Sequence, residues 1–263
     1  MSNKKTRERH LAKQAAKRKA VRQRHARQRW TAIVVAAVVV IFAGYMVWSA
    51  FLKGEPTTKA ASGGGSKTAC STAVPAAAGQ KKKTYSHPPA NVLKPGKVYK
   101  ATFETSCGTF VIQFDRKLAP NTVNSMVFLA QQHFYDGLTF HRTVKDFVIQ
   151  GGDPKGDGTG GPGYQTVDPP PKSATYPVGT IAMAKAQSEP PGTAGSQFFV
   201  VTSASANAAL APQGQGPQYA ITGHVISGME VVQKIEAQPR TGGQPDGAPA
   251  QKIYIIRMTI SSS

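Results

Sequence analysis

Phe140-His141-Arg142-Thr143-Val144-Lys145-Asp146-Phe147-Val148-Ile149-Gln150-Gly151-Gly152-Asp153 is the stretch on which the reading of this chain turns. It sets one guanidinium and one side-chain amide among aromatic and β-branched residues, then stops at a glycine pair. Phe147, Val148 and Ile149 read as a buried strand that ends at Gln150 before the glycine turn. A guanidinium with such neighbours is either paired inside the fold or aimed at something that enters a pocket.

Around this stretch the texture is that of short strands. Val98–Thr105 and Gly108–Asp115 alternate polar and apolar residues across Cys107-Gly108, which predicts a hairpin. Pro120-Asn121-Thr122 then reads as the cap of a helix, with Val123, Met126, Val127 and Ala130 at helical spacing. Further apolar runs at Thr180–Lys185, Gln197–Thr202, Tyr219–Val225 and Ile253–Ile260 read as strands. A second helix fits Gly228 to Ala237, with Met229, Val232 and Ile235 on one face. Many short strands with two helices and no βαβ rhythm predict a mainly β fold, an antiparallel barrel or sandwich closed off by helices.

The 263 residues carry a formal charge of +19, but it is unevenly placed. Residues 1–29 hold +11, residues 53–95 hold +6, and residues 96–263 hold only +2. The part able to form a core is nearly neutral, which argues against a folded nucleic-acid surface; no nucleic acid is expected as a partner. The basic tail instead precedes Trp30–Leu52, 23 residues without a charge. As a helix this would run roughly 35 Å, enough to cross a bilayer core of about 30 Å. Trp30 and Trp48 fall near its ends, where indole rings favour the interface. Ser49-Ala50 would serve a signal peptidase, but the apolar run is too long for a typical leader, so an anchor is expected. The cations before the span orient it with the N-terminus in the cytoplasm and the rest outside, in a bacterial cell membrane as a single-pass protein.

Residues 53–95, rich in Gly, Ser, Ala, Pro and Lys, read as a flexible linker. Cys70 lies within it and Cys107 lies in the first hairpin, and the chain has no other cysteine. Outside the cytoplasm they either form a disulfide that pins linker to domain or stand as two free thiols. The expected organisation is a basic cytoplasmic tail (1–29), a transmembrane helix (30–52), the linker (53–95) and a folded domain (96–263).

Several chemistries are excluded by pattern. Gly158-Thr159-Gly160-Gly161-Pro162-Gly163 matches G-x-G-x-x-G, but Asp168-Pro169-Pro170-Pro171 follows where a phosphate-binding helix would have to start. The six histidines show no paired metal-ligand spacing, and no G-x-S-x-G elbow is present. Neither metal nor cofactor is expected, and His141 reads as packed or surface-lying rather than catalytic.

Two more segments complete the picture: Gly179-Thr180-Ile181-Ala182-Met183-Ala184 and Gly195-Ser196-Gln197-Phe198-Phe199. With Phe140–Asp153, which fits F-H-R-x-x-x-x-F-x-x-Q-G-G-D, they resemble in order the motifs of the cyclophilin family of peptidyl-prolyl cis–trans isomerases. The resemblance runs from about Lys97 to Ile260, and with anchor and linker the chain is similar to the membrane-bound cyclophilins of actinobacteria. It implies a closed eight-stranded antiparallel barrel capped by two helices. It also implies catalytic roles for Arg142, Phe147 and Gln150, and substrate contacts from Val148, Ala184, Lys185, Gln197, Phe199, Leu210 and Tyr219. Proline-containing unfolded or secreted polypeptides would be the partners.

The residue types suit that chemistry. Rotation about X–Pro breaks amide conjugation, at a barrier of about 18–20 kcal/mol. The twisted imide nitrogen becomes a better acceptor, so a guanidinium aimed at it stabilises the twisted state above either planar one. An apolar pocket holds the ring, and no nucleophile or general base is needed. Three departures stand out from the family pattern: Val148 where Met is common, Lys185 where Asn is usual, and Tyr219 where His is frequent. The Trp that contacts cyclosporin in eukaryotic members has no counterpart, so weak cyclosporin binding is expected. The competing readings are a proline-peptide scaffold with little turnover and a holdase. Arg142 with Phe147 favours the enzyme, because binding alone does not require the donor.

Overall fold

The computed structural model describes residues 69–263. The basic tail, the expected transmembrane helix and linker residues 53–68 lie outside the described residues. Within them, no helix is long and apolar enough to cross a membrane.

The first hairpin forms where alternation placed it. β1 (Tyr99–Thr105) and β2 (Gly108–Phe114) bury every second residue. Phe103 faces Phe110 across the ladder, their rings stacked at 4.7 Å, and Phe198 leans on Phe103 at 5.4 Å. These rings form the centre of the main core. Helix α1 (Pro120–Gln131) starts with proline at its first turn, where a missing N–H costs nothing. Its own residues do not cap it. Asp168, from a distant loop, accepts from the Thr122 backbone N–H at 2.7 Å and from the side chains of Thr122 and Asn121. A carboxylate there satisfies orphan donors and meets the positive end of the helix dipole.

The remaining elements are β3 (Arg142–Val144), β4 (Val148–Gly151), β5 (Thr166–Val167), β6 (Thr180–Met183), β7 (Thr193–Ala194), β8 (Phe198–Val201), α2 (Ala206–Leu210), β9 (Ile221–Ser227), α3 (Met229–Glu236), β10 (Asp246–Gly247) and β11 (Ile255–Ser262). Nine strands form one antiparallel sheet in the order β10-β3-β4-β8-β6-β9-β2-β1-β11, and β5 pairs with β7 apart from it. Register shifts in the β1–β11, β2–β9 and β6–β9 pairs increase the local twist, as bulges do, and help it curl.

The expected closed eight-stranded barrel with two helices is corrected in three respects. The sheet has nine strands, the described residues include the additional short helix α2, and the ladder keeps two edges. Among the described residues its ends meet where residues 137–140 bond to 253–255, through Gly137 N–H to Ile255 O, Ile255 N–H to Leu138 O and Phe140 N–H to Ile253 O. Farther along β11, the Met258 N–H donates to the Asp136 carboxylate at 3.0 Å rather than to a strand. A side chain takes the donor that closure would have used.

The central strands β4, β6 and β8 are buried on both faces, and pleating sorts their residues. Ile149, Ile181, Met183, Phe198 and Val200 join the main core; Val148, Ala182, Phe199 and Val201 join a second apolar cluster on the opposite face. The second cluster carries the site.

Residues 69–95, expected within the linker, instead lie against the sheet domain. Cys70 and Cys107 form a disulfide, and Ser71 N–H donates to Ser106 O at 2.7 Å. Lys82 Nζ donates to the Asp136 carbonyl, and Tyr85 packs edge-on against Phe128 at 5.1 Å. Asn124 accepts from Val92 N–H and donates to Ala90 O, while Leu93 is buried. A Cβ at Gly137 would overlap the Ala77 carbonyl, so glycine permits this close approach. The composition reads as a tether because most of the strap's apolar residues are alanine and proline, with few large side chains; much of its attachment comes from main-chain groups.

Candidate active site

Arg142 and Gln150 are cross-strand partners on β3 and β4, and Gln150 is in turn opposite Phe199 on β8. The register therefore sets a guanidinium, an amide and an aromatic ring in a row on the face away from the main core. Arg142 Nη1 donates to Gln150 Oε1 at 3.2 Å, and Gln150 Nε2 donates to Gln197 Oε1 at 3.1 Å. Gln197 Nε2 ends the relay on the carbonyls of Gly158 and Gly160, at 2.9 and 2.8 Å. The glycine-rich loop dismissed as a nucleotide site thus serves as an acceptor platform for Gln197.

Arg142 is also paired. Its Nε and Nη2 donate to the two carboxylate oxygens of Asp246, each at 2.7 Å. This hydrogen-bonded pairing raises the Arg142 pKa and holds the Asp246 carboxyl below the usual carboxylate range. The two alternatives at Arg142 are therefore compatible. Of five guanidinium N–H groups, three are engaged by Asp246 and Gln150, and two keep no protein partner among the described residues.

Beside this polar row lies the apolar wall. Val148, Phe199 and Leu210 are buried in the second cluster, and half-buried Phe147, Ala184 and Tyr219 pack against it. Phe147 lies just before β4, in a turn held by Thr202 N–H donating to its carbonyl at 3.0 Å. The preceding Asp146 takes φ of 54°, and its N–H donates to Glu236 at 2.7 Å. Leu210 ends α2, whose Asn207 side chain accepts from Tyr176 N–H at 2.7 Å. Tyr219 meets Phe199 edge-on at 5.3 Å, and its backbone both donates to and accepts from the Tyr176 hydroxyl. Burial pushes that hydroxyl's pKa up to about 12, so it stays protonated and keeps its donor.

Ala184 N–H donates to Gln197 O at 2.9 Å, joining the ends of β6 and β8. Lys185 Nζ donates to the carbonyls of Ala186 and Glu189 and lies 5.9 Å from the centre of the Tyr219 ring. Gln150, Gln197, Ala184, Lys185 and the strap residue Thr84 share a cleft of about 820 Å³. A second cleft of about 800 Å³, between strap and α1, holds none of the site residues. Of the ten residues singled out in the sequence, Arg142, Val148, Gln150 and Phe199 lie on strands, Leu210 on α2 and the other five in connecting segments, and the contacts above link them into one set. Asp246 was missed: 104 residues from Arg142, it belongs to a two-residue strand whose only sequence signal is Asp-Gly after a proline. Thr84 was missed as well, inside a segment with no strand or helix pattern. Among the described residues no cluster suited to a metal ion occurs.

Residues 100–260 match the family described as cyclophilin type peptidyl-prolyl cis-trans isomerase/CLD, and the chain belongs to that family. It is 37% identical over 172 residues to a probable peptidyl-prolyl cis-trans isomerase B of Mycobacterium tuberculosis, covering 59% of this chain and 52% of the relative. It is 39% identical over 174 residues to human peptidyl-prolyl cis-trans isomerase-like 1, covering 64% of this chain and 95% of the relative. The chain spans about half the length of the mycobacterial relatives it matches. A crystal structure of a Cryptosporidium parvum cyclophilin type peptidyl-prolyl cis-trans isomerase superposes with a TM-score of 0.54 at 28% identity. That match covers 63% of this chain and 99% of the other.

Proposed function

We propose that this protein catalyses cis–trans isomerisation of X–Pro bonds in polypeptides, with Arg142 as the donor to the twisted prolyl nitrogen. One observation carries the reading: a guanidinium with two unengaged N–H groups stands beside the apolar wall of Phe147, Val148 and Phe199. The wall holds the proline ring while the acyl group turns. As conjugation is lost the imide nitrogen accepts a hydrogen bond that it refuses when planar, so the donor lowers the barrier rather than the ground state. Gln150 accepts from Arg142 and orients it, and no bond to the protein is made or broken. A Cryptosporidium parvum relative is described in the presence of the dipeptide Ala-Pro, which supports proline-containing peptides as the substrate class.

The substrates are unfolded or secreted polypeptides outside the cytoplasm, where slow X–Pro bonds limit folding. This part rests on the charge-free span Trp30–Leu52 and the basic residues before it, and the Cys70–Cys107 pair agrees with an oxidising compartment. Cyclosporin binds weakly, since both tryptophans of the chain fall in that span. The test is relaxation of an Ala-Pro-Phe peptide from cis to trans with the full chain in detergent micelles. Acceleration supports the enzyme; peptide binding without acceleration supports a scaffold instead. Protease added to intact cells should release the domain, and protection would contradict the orientation.

A further inference from the structure

An arginine side chain has four rotatable torsions, and a donor that must meet a nitrogen at one moment of a rotation needs a fixed plane. Gln150 contacts a single Nη1 of Arg142 and cannot fix that plane alone. Asp246 can, because two parallel bonds of 2.7 Å define both direction and roll of the guanidinium. The pair is partly open to solvent, with side chains 40% and 48% exposed, so packing does not impose its geometry.

Asp246 is itself held in place. β10 pairs with β3 at Asp246–Val144 and Gly247–Thr143, which makes Asp246 the diagonal neighbour of Arg142 on the same face. On one side Lys145 N–H donates to Pro245 O at 2.8 Å; on the other Thr241 N–H donates to Ala248 O at 2.9 Å. Arg240 ties the segment inward, its Nε donating to Thr143 O at 3.0 Å and its Nη2 to Glu236 O at 2.8 Å.

We propose that Asp246 is a positioning residue for the isomerisation: it locks the Arg142 guanidinium so that its two remaining N–H groups are presented in a fixed orientation. The inference rests on Arg142 being the donor to the prolyl nitrogen. Asp246 touches no reacting atom and acts only through Arg142. A merely structural pair would stabilise the β3–β10 edge and leave turnover untouched.

The experiment uses the full chain in detergent micelles and the variant Asp246→Asn, which keeps the shape but offers one acceptor oxygen in place of two. For an Ala-Pro-Phe peptide, kcat/KM should fall about tenfold while peptide affinity by NMR titration changes less than about twofold. The Arg142 Nε–Hε resonance should exchange slowly in the wild type and lose that protection in the variant. In an Arg142→Lys background the same substitution should change kcat/KM less than about twofold, because the residue it acts through has lost its fork. An unimpaired Asp246→Asn beside an active wild type overturns the inference alone, and so does an undiminished fall in the Arg142→Lys background. An inactive wild type overturns the reading of the site, and the inference with it.

Discussion

Arg142 and Gln150 face each other across β3 and β4, joined by a 3.2 Å bond from Nη1 to Oε1 that continues through Gln197 to the carbonyls of Gly158 and Gly160. An amide whose oxygen and nitrogen are both engaged cannot flip without breaking two bonds. Replacing Gln150 by Leu removes the acceptor and severs the relay. Peptide isomerisation should fall roughly 10- to 100-fold in kcat/KM, the loss of one hydrogen bond to a charged group, with the fold unchanged by circular dichroism. Undiminished turnover would remove Gln150 from the site.

Lys185 directs its ammonium at two carbonyls beside Tyr219 and has no carboxylate at ion-pair distance among the described residues. The Glu189 carboxylate lines the same cleft but is engaged by the Ala186 N–H and the Gln165 amide, so acidic substrates are expected to be favoured only modestly by the Lys185 charge. A peptide with Glu before Ala-Pro-Phe should exceed its Gln counterpart in kcat/KM by about two- to threefold at low salt. The preference should vanish in Lys185→Gln and in about 0.5 M salt, where screening shortens the reach of the charge.

The Cys70–Cys107 disulfide closes a separation of 37 residues and ties the strap to the first hairpin. Replacing both cysteines by serine should lower the unfolding free energy by about 3–4 kcal/mol in the chain-entropy account, read from urea melts of the full chain. Turnover should be little changed, because Cys70 and Cys107 belong to the main core cluster and not to the cluster that forms the site wall. A loss under about 1 kcal/mol would show that the strap's other hydrogen bonds suffice.

His141, next to Arg142 in sequence, has both ring nitrogens buried without a partner among the described residues. Burial lowers its pKa and Arg142 adds to the lowering, against the opposing pull of Asp153, Asp157 and the nearby Thr139 backbone. A base whose folded pKa lies below its unfolded value binds fewer protons when folded. Its contribution to stability is therefore full above the unfolded pKa of about 6.5 and is lost as pH falls from there toward the folded pKa. Urea midpoints should drop as pH falls below about 6.5, and His141→Phe should flatten that part of the slope. Equal slopes in both proteins would contradict this assignment.

The central site was legible because its residues are local and patterned. Arg142, Phe147 and Gln150 fall within one strand–turn–strand, where period-two alternation already assigns faces, and the glycine pair marks the strand end. Phe198 and Phe199 show what pattern alone could not settle: both read as buried, but pleating sends one to the main core and the other to the site. Asp246 was illegible because a two-residue strand carries no period. Closure was misjudged for a similar reason: Asp136 takes the Met258 N–H as a lone side chain, and no hydropathy pattern announces that. The strap reads as a tether since Lys82, Tyr85 and Asn124 hold it through scattered polar and aromatic contacts that leave no periodic apolar pattern.

If the guanidinium of Arg142 lowers the barrier to prolyl rotation, its removal must slow that rotation. The most direct test is cis-to-trans relaxation of an Ala-Pro-Phe peptide with the full chain and with its Arg142→Ala variant, at matched fold and peptide affinity. In the variant kcat/KM should fall roughly 30- to 1000-fold, about 2–4 kcal/mol, the scale of one preorganised transition-state donor. A variant that relaxes the peptide within about twofold of the active wild type would contradict that role of Arg142.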